Sequence, residues 1–194
     1  MKICDYKQLD ENFFSKIEFE SISSVNDIIE NVRKNGDKAV REYAKKFGDG
    51  DINAFKLTDK EIKQAVSKVD TKTIETIKFA IKNVKEFAKV QFNSVKEIEV
   101  NINGNTLGHK IVPIESVGCY IPGGNYPLPS SAIMTIVPAK VAGVKRVIAM
   151  SPRIKDVTVA AAYLAGADEI YRIGGVQAIA AMAYGTESIK KVNK

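Results

Sequence analysis

Hydrophobic residues along the first hundred positions recur every three or four residues, which is the spacing of amphipathic helices. Glycines and capping residues divide this pattern, and Asp37 is expected to cap the second helix. Thr58 and Glu61 have the spacing of a capping box, which marks a further helix start. Lysines occupy the other faces, as on a solvated surface. The pattern predicts helices over residues 24–36, 37–48, 58–69 and 71–91.

The period then changes from helical to alternating. Ile98, Val100 and Ile102 alternate with polar residues, which is typical of a half-buried strand. The dipeptide 103–104 is Asn-Gly, and both residues tolerate the positive φ that a two-residue hairpin turn requires. A return strand is expected from Leu107 to Ile114. The pattern predicts a β-hairpin that connects the helical part to the rest of the chain.

From residue 116 onward, short apolar runs alternate with helical stretches, and such an order indicates a parallel sheet. The predicted fold class is therefore α/β, with a helical region at 1–95, a hairpin connector at 96–115 and an αβ domain at 116–194. The predicted strands cover 116–121, 144–150 and 168–173, and the predicted helices cover 129–142, 157–165 and 176–184.

Two glycine turns follow strands of the predicted sheet. Pro122-Gly123-Gly124 follows the first strand, and Gly174-Gly175 follows the third. Right-handed crossovers place both turns at the carboxyl edge of the sheet, where such folds bind ligands. Glycines let a phosphate or a ribose approach the backbone, and the amides of the next helix can bind an anion. The alternative is a pair of tight turns without a ligand. The Gly-x-Gly-x-x-Gly fingerprint is absent, so these turns are not the usual dinucleotide-binding motif.

Other polar residues near these turns have two interpretations each. Tyr120 ends the first strand, where it could contact a ligand or pack in the core with its hydroxyl satisfied. Gln177 lies three residues into the last helix, where its amide could bind a ribose or carboxamide or simply face solvent. Ser130 and Ser131 are expected to cap their helix.

The composition offers little for metal or acid–base chemistry, since the chain has one histidine and two cysteines. His109 stands alone on a predicted hairpin strand, so a surface or packing role is expected. Cys4 and Cys119 are far apart, which indicates neither a disulfide framework nor a zinc knuckle. Cys119 is expected to be a buried apolar residue.

Charge and hydropathy narrow the function classes further. The net charge of +6 is spread along the chain without a basic stripe, so nucleic-acid binding is not expected. No apolar run approaches the ~20 residues of a membrane span. The first residues contain no apolar signal region. A cytoplasmic protein that binds neither nucleic acid nor membranes is therefore expected.

Several blocks of the chain resemble the histidinol dehydrogenase family, in the same order along the sequence. The best example is Val-Gly-Cys-Tyr-Ile-Pro-Gly-Gly at 117–124, and residues 31–47 resemble the family's early helix pair more weakly. The other matching blocks are residues 127–131, 134–135, 138–144, 160–168, 174–187 and 191–194.

The resemblance implies an enzyme of histidine biosynthesis that oxidises L-histidinol to L-histidine in two NAD-dependent steps. It also implies a homodimer with zinc and an incomplete Rossmann-like αβ domain. Tyr120 and Gln177 match residues that contact NAD in the family, and Gly123 and Gly124 match the turn beside it.

The departures from the family are equally informative. Family chains are longer and continue with a Gly-Pro-Gly-Asn segment after the position of Lys194. Their zinc ligands and catalytic Glu-His pair lie in that later part, so this chain is expected to lack catalytic and metal residues. Asn125-Tyr126 stands where the family has a pair of smaller residues, and this tyrosine could narrow the crevice between the two glycine turns.

The preferred interpretation is the N-terminal half of such an enzyme, which is inactive alone and binds histidinol only with the other half. The alternatives are a non-catalytic nucleotide-binding or assembly module derived from that fold, and an unrelated αβ domain. Exposed apolar surface is expected, with self-association through it.

Overall fold

The computed structural model describes residues 22–123 and 126–194, with side-chain surroundings from residue 25 onward. Helices and strands alternate as the hydrophobic pattern predicts, and most boundaries agree within a few residues. The elements are α1 (Ile22–Lys46), α2 (Asp59–Ser67), α3 (Thr71–Ser94), β1 (Ile98–Ile102), β2 (Asn105–His109), β3 (Ser116–Tyr120), α4 (Pro129–Val141), β4 (Arg146–Met150), α5 (Asp156–Ala165), β5 (Glu169–Tyr171) and α6 (Gly175–Tyr184).

The span α1 consists of two helical segments that meet at a kink at Gly36, whose φ of 52° and ψ of −133° are not helical, so the predicted helix end at Gly36 is confirmed. The predicted cap at this kink is wrong. Asp37 donates its backbone N–H to Oε2 of Glu187 at 2.7 Å, and its own carboxylate accepts from the Ser188 hydroxyl at 3.0 Å. The loop after α6 packs against the kink, so the capping carboxylate comes from that distant loop.

Two local signals in the sequence are confirmed. Thr58 and Glu61 form the capping box of α2, with both reciprocal hydrogen bonds present. Asn103 and Gly104 have φ values of 54° and 83°, and they join the antiparallel strands β1 and β2. The return strand stops at His109, earlier than predicted, and every residue of both strands is exposed.

The second sheet is parallel, with the order β3–β4–β5. Successive residues of β4 point to opposite faces, and both faces are covered. Val147 and Ala149 lie in the core beneath α4 and α5, while Ile148 and Met150 lie in the core beneath α1 and α6. Burial on both faces explains the uninterrupted apolar run of this strand.

Each core combines residues of the helical region with residues of the αβ part. Ile62 of α2 and Ile77 of α3 lie in the first core, and Val32 and Val40 of α1 lie in the second. The domain boundaries at residues 95 and 115 stay predictions. None of the helices that the structure describes is long and apolar enough to cross a membrane.

The start of α4 differs from the prediction that Ser130 and Ser131 cap it. The helix begins at Pro129 and its N-cap residue is Leu128, which makes no side-chain capping hydrogen bond. Proline suits the first helical position because its φ is fixed near the helical value and the missing N–H would have no helical partner. Both serines therefore lie within the first turn.

The last residues of the chain run parallel to β3 along its outer edge. Gly118 donates its N–H to the Lys194 carbonyl at 2.8 Å, and the N–H of Lys194 points to the Ser116 carbonyl at 3.3 Å. The hydroxyl of Ser116 also donates to Oδ1 of Asn193 at 2.6 Å. This alternation of bonds is that of a parallel strand pair.

Candidate functional site

The two glycine turns meet at the carboxyl edge of the parallel sheet. Both pack on Pro152, which follows β4. A Cβ added to Gly123 would lie 2.5 Å from the Pro152 carbonyl oxygen, and one added to Gly174 would lie 2.3 Å from the Pro152 Cβ. The close approach therefore requires glycine at both positions. Gly124 and Asn125 lie outside the described residues.

Tyr120 links the end of β3 to the second turn. Its hydroxyl oxygen accepts the backbone N–H of Gly175 at 3.1 Å. Gly175 has a φ of 70°, a left-handed conformation that glycine adopts without strain. The hydroxyl of Tyr120 is therefore satisfied by the backbone, and the residue lies at the carboxyl edge of the sheet. Its contact with a ligand stays a prediction.

Gln177 is the most unusual side chain of this edge. It is only 1% exposed, so the alternative of a surface glutamine is wrong. Its Oε1 and Nε2 atoms find no hydrogen-bond partner among the residues that the structure describes. A Cβ added to Gly175 would lie 2.7 Å from Oε1, which places the amide directly beneath the turn. An unpaired buried amide costs about 1–3 kcal/mol, so a ligand that pairs with it recovers that cost.

Asp49 belongs to the same edge, and sequence reasoning missed it. Its Oδ2 accepts the N–H of Gly174 at 3.0 Å, although the residue lies in the segment after α1. Burial raises the pKa of this carboxyl, while the hydrogen bond from Gly174 and the positive charge of Arg153 act in the opposite direction. An aspartate next to a glycine after a helix indicates only a turn, so the sequence held no signal for this contact.

Clefts of different character lie on the two sides of the turns. A cleft of about 290 Å³ between α2 and α5 is lined by charged residues, including Asp49, Arg153 and Arg172. Within it Arg172 pairs with Glu61, and this hydrogen bond is the main reason that the pKa of Glu61 falls to about 2. On the other side, a cleft of about 290 Å³ is lined by Tyr120 and mainly apolar residues of α6.

The residues considered for other chemistry lie elsewhere. His109 is exposed on β2, where its Nε2 lies 2.8 Å from the Lys96 carbonyl oxygen. Cys119 is buried, as expected, and burial raises the pKa of its thiol, which keeps it protonated and unreactive. Among the described residues, no three histidine, cysteine or acidic side chains are grouped so that they could hold a metal ion.

The residues at the turns fit a dinucleotide better than they fit zinc. The buried Gln177 amide offers one acceptor and two donors without a partner among the described residues, and a side chain at Gly175 would collide with this amide. These are features of a site for a neutral polar group. Among the described residues, these turns offer no set of zinc ligands.

Comparison with known proteins identifies the family. The family model for histidinol dehydrogenase matches residues 15–194. A histidinol dehydrogenase from Methanococcus maripaludis is 47% identical over 176 residues, covering 89% of this chain and 42% of the relative. A histidinol dehydrogenase homolog from Shouchella clausii is 46% identical, covering 88% and 41%.

The fold agrees with these sequence matches. The crystal structure of histidinol dehydrogenase from Elizabethkingia anophelis superposes with a TM-score of 0.84 at 32% identity, covering 90% of this chain and 41% of that one. The chain thus spans about two-fifths of the length of the relatives that it matches. Family model, sequence relatives and fold coincide over nearly the whole described chain, and the chain belongs to the histidinol dehydrogenase family.

Proposed function

We propose that this chain forms the NAD-binding side of a histidinol dehydrogenase, which oxidises L-histidinol to L-histidine in histidine biosynthesis. The observation that carries the proposal is the buried, unpaired amide of Gln177 beneath the Gly174-Gly175 turn. Family membership supports the proposed reaction, and the buried amide supports a cofactor at this edge of the sheet.

The residues of the edge have distinct roles in this proposal. Gln177 pairs with a ribose hydroxyl or the carboxamide of NAD, because its amide has both donors and an acceptor. Tyr120 holds the Gly175 turn in place through its hydroxyl. Gly123, together with Gly124, lets the cofactor approach the backbone. NAD, when bound, accepts the hydride that the alcohol loses.

The chain alone is proposed to be inactive. Oxidation of an alcohol needs a base near the reacting carbon, and neither the exposed His109 nor the buried Cys119 lies among the residues that form the turns. The zinc and the base are proposed to come from the part of the relatives that this chain does not match.

A complementation assay tests this proposal. The 194-residue chain is mixed with a separately produced C-terminal part of the relative from Methanococcus maripaludis, and NADH formation is followed with L-histidinol and Zn²⁺. Turnover is expected only when both parts are present, and a Gln177→Ala variant is expected to raise the KM for NAD. Full turnover by the 194-residue chain alone would refute this assignment of roles.

The second candidate is a non-catalytic nucleotide-binding or assembly module that kept the fold. Its support is an exposed apolar face on α3, where Phe79, Phe87 and Val90 are each about two-thirds exposed. Such a face is typical of a protein interface. NAD titration separates an assembly module from the first candidate, because a module that only assembles binds NAD equally weakly as wild type and as Gln177→Ala. The complementation assay separates a non-catalytic nucleotide-binding module, which forms no NADH when the C-terminal part is added.

The same exposed face leads us to propose a homo-oligomer. A location in the cytoplasm, without nucleic-acid or membrane partners, is proposed from the sequence alone. Light scattering of the isolated chain tests it, with a Phe79→Lys, Phe87→Lys double variant as the comparison. Self-association that the double variant reduces is expected, and a concentration-independent monomer would contradict the proposal.

A further inference from the structure

Protein side chains already occupy the first amides of α6. Gly174 donates its N–H to the Asp49 carboxylate at 3.0 Å, and Gly175 donates to the Tyr120 hydroxyl at 3.1 Å. The first four N–H groups of a helix have no partner within it, and they are the groups that bind a phosphate at a helix start. At α6 the first two of these four amides are taken before any ligand arrives.

Asp49 supplies its own negative charge at this helix end. A carboxylate beside a helix N-terminus is stabilised by the helix dipole and by the hydrogen bond. The positive charge of Arg153 acts on this carboxylate, and Arg172 lines the same cleft but is paired with Glu61. A ligand phosphate at the Gly174 amide would have to displace the carboxylate and would be repelled by it.

The polar group next to the amino end of α6 is the neutral amide of Gln177. The Gln177 amide lies beneath Gly175, buried and without a partner among the described residues. A neutral amide pairs well with hydroxyl or amide groups, whereas a phosphate needs cations or several free N–H groups. The charge on one side and the neutral amide on the other thus favour the same kind of ligand group.

We propose that Asp49 is a specificity-determining residue: it occupies the Gly174 amide at the amino end of α6 and places a negative charge there, so that this end of the site accepts an uncharged ribose or carboxamide and excludes phosphate. The inference rests on the proposed function, because it assigns which part of a dinucleotide lies at α6. The phosphates of the cofactor then lie away from the Gly174 amide.

Amide chemical shifts of the ¹⁵N-labelled 194-residue chain test the proposal, with inorganic pyrophosphate as the probe. Asp49→Ala frees the Gly174 amide, and Asp51→Ala removes the same charge from an exposed position two residues away. Saturable shifts of the Gly174 and Gly175 amides are expected in Asp49→Ala, with pyrophosphate bound at least about tenfold more tightly than by wild type or Asp51→Ala. Asp49→Asn keeps an acceptor for Gly174 but loses the charge, and it decides the question if the alanine variant does not fold.

Pyrophosphate binding at the Gly174 amide of the wild type would overturn the proposal. Folded Asp49→Ala and Asp49→Asn variants that gain no pyrophosphate binding would overturn it as well. A parallel titration of the wild type with nicotinamide riboside addresses the proposed function separately. If the riboside leaves the Gln177 side-chain amide unperturbed, the dinucleotide assignment fails, while the pyrophosphate result still decides the role of Asp49.

Discussion

Replacing Gln177 by methionine removes the buried amide while keeping an unbranched side chain of similar volume. The wild-type amide is desolvated on folding and gains no hydrogen bond from the described residues. Volume-conserving exchanges in a core cost little by themselves, and methionine adapts to irregular space. The variant therefore tests whether the glutamine is kept for binding at the expense of stability.

The expected effect on stability follows from the desolvation of one amide. A buried polar group without a partner costs about 1–3 kcal/mol, so Gln177→Met is expected to raise the free energy of unfolding by about 2 kcal/mol. For a domain of this size, that corresponds to an increase in Tm of about 4–8 °C. The apo protein should become more stable although a polar group has been lost.

Thermal and urea unfolding, each with and without NAD, measure both the stability of the apo protein and its stabilisation by NAD. NAD at a hundred times its Kd stabilises the wild type by about 2.7 kcal/mol, and the variant is expected to lose most of this gain. Gln91→Met is the matched control, because Gln91 lies on the exposed part of α3. It should change neither the stability of the apo protein nor the response to NAD by more than about 0.5 kcal/mol.

One result would refute the reasoning. If Gln177→Met lowers the free energy of unfolding by more than about 1 kcal/mol, at an unchanged denaturant slope, the amide is paired in the folded protein. A retained NAD response in the same variant would also remove Gln177 from the binding site. Either result would leave the proposed cofactor site without its main support.

Three further predictions follow from the described contacts. Gly175→Ala should lower the free energy of unfolding by about 1–2 kcal/mol and abolish NAD binding, since its Cβ would meet the Gln177 side chain at 2.7 Å. Gly48→Ala is the control: Gly48 has a φ of 90° and open space around it, so a thermal melt should show only the effect of backbone strain. The pKa of Glu61 is lowered to about 2, so its contribution to stability is present above the ordinary pKa of 4.5 and is lost as the pH falls toward 2. Urea unfolding across this pH range should show a smaller loss of stability in Arg172→Met than in the wild type. Thr58→Ala should lower the free energy of unfolding by about 1 kcal/mol through loss of the α2 cap, and an unchanged denaturation midpoint would contradict this.

Much of the fold follows from local patterns in the chain. The Thr58–Glu61 capping box, the Asn103-Gly104 turn and the order of short strands and helices were all readable, because each depends on residues within a few positions of one another. The meeting of the two glycine turns at one sheet edge follows from the handedness of parallel crossovers. These features are set by backbone sterics and by the burial of apolar faces.

The character of the site depends on contacts between distant segments. Hydrophobic periodicity shows which face of an element is buried but not which element covers it. Asp49 reaches Gly174 only because α1 packs on α6, and Glu187 reaches the kink in α1 for the same reason. Gln177 resembles a surface residue in the sequence, and it is buried because the strand ends and α1 enclose the start of α6. Local chemistry thus predicted the two glycine turns as the candidate site, while the packing of α1 onto α6 determined which charges and which unpaired amide lie beside them.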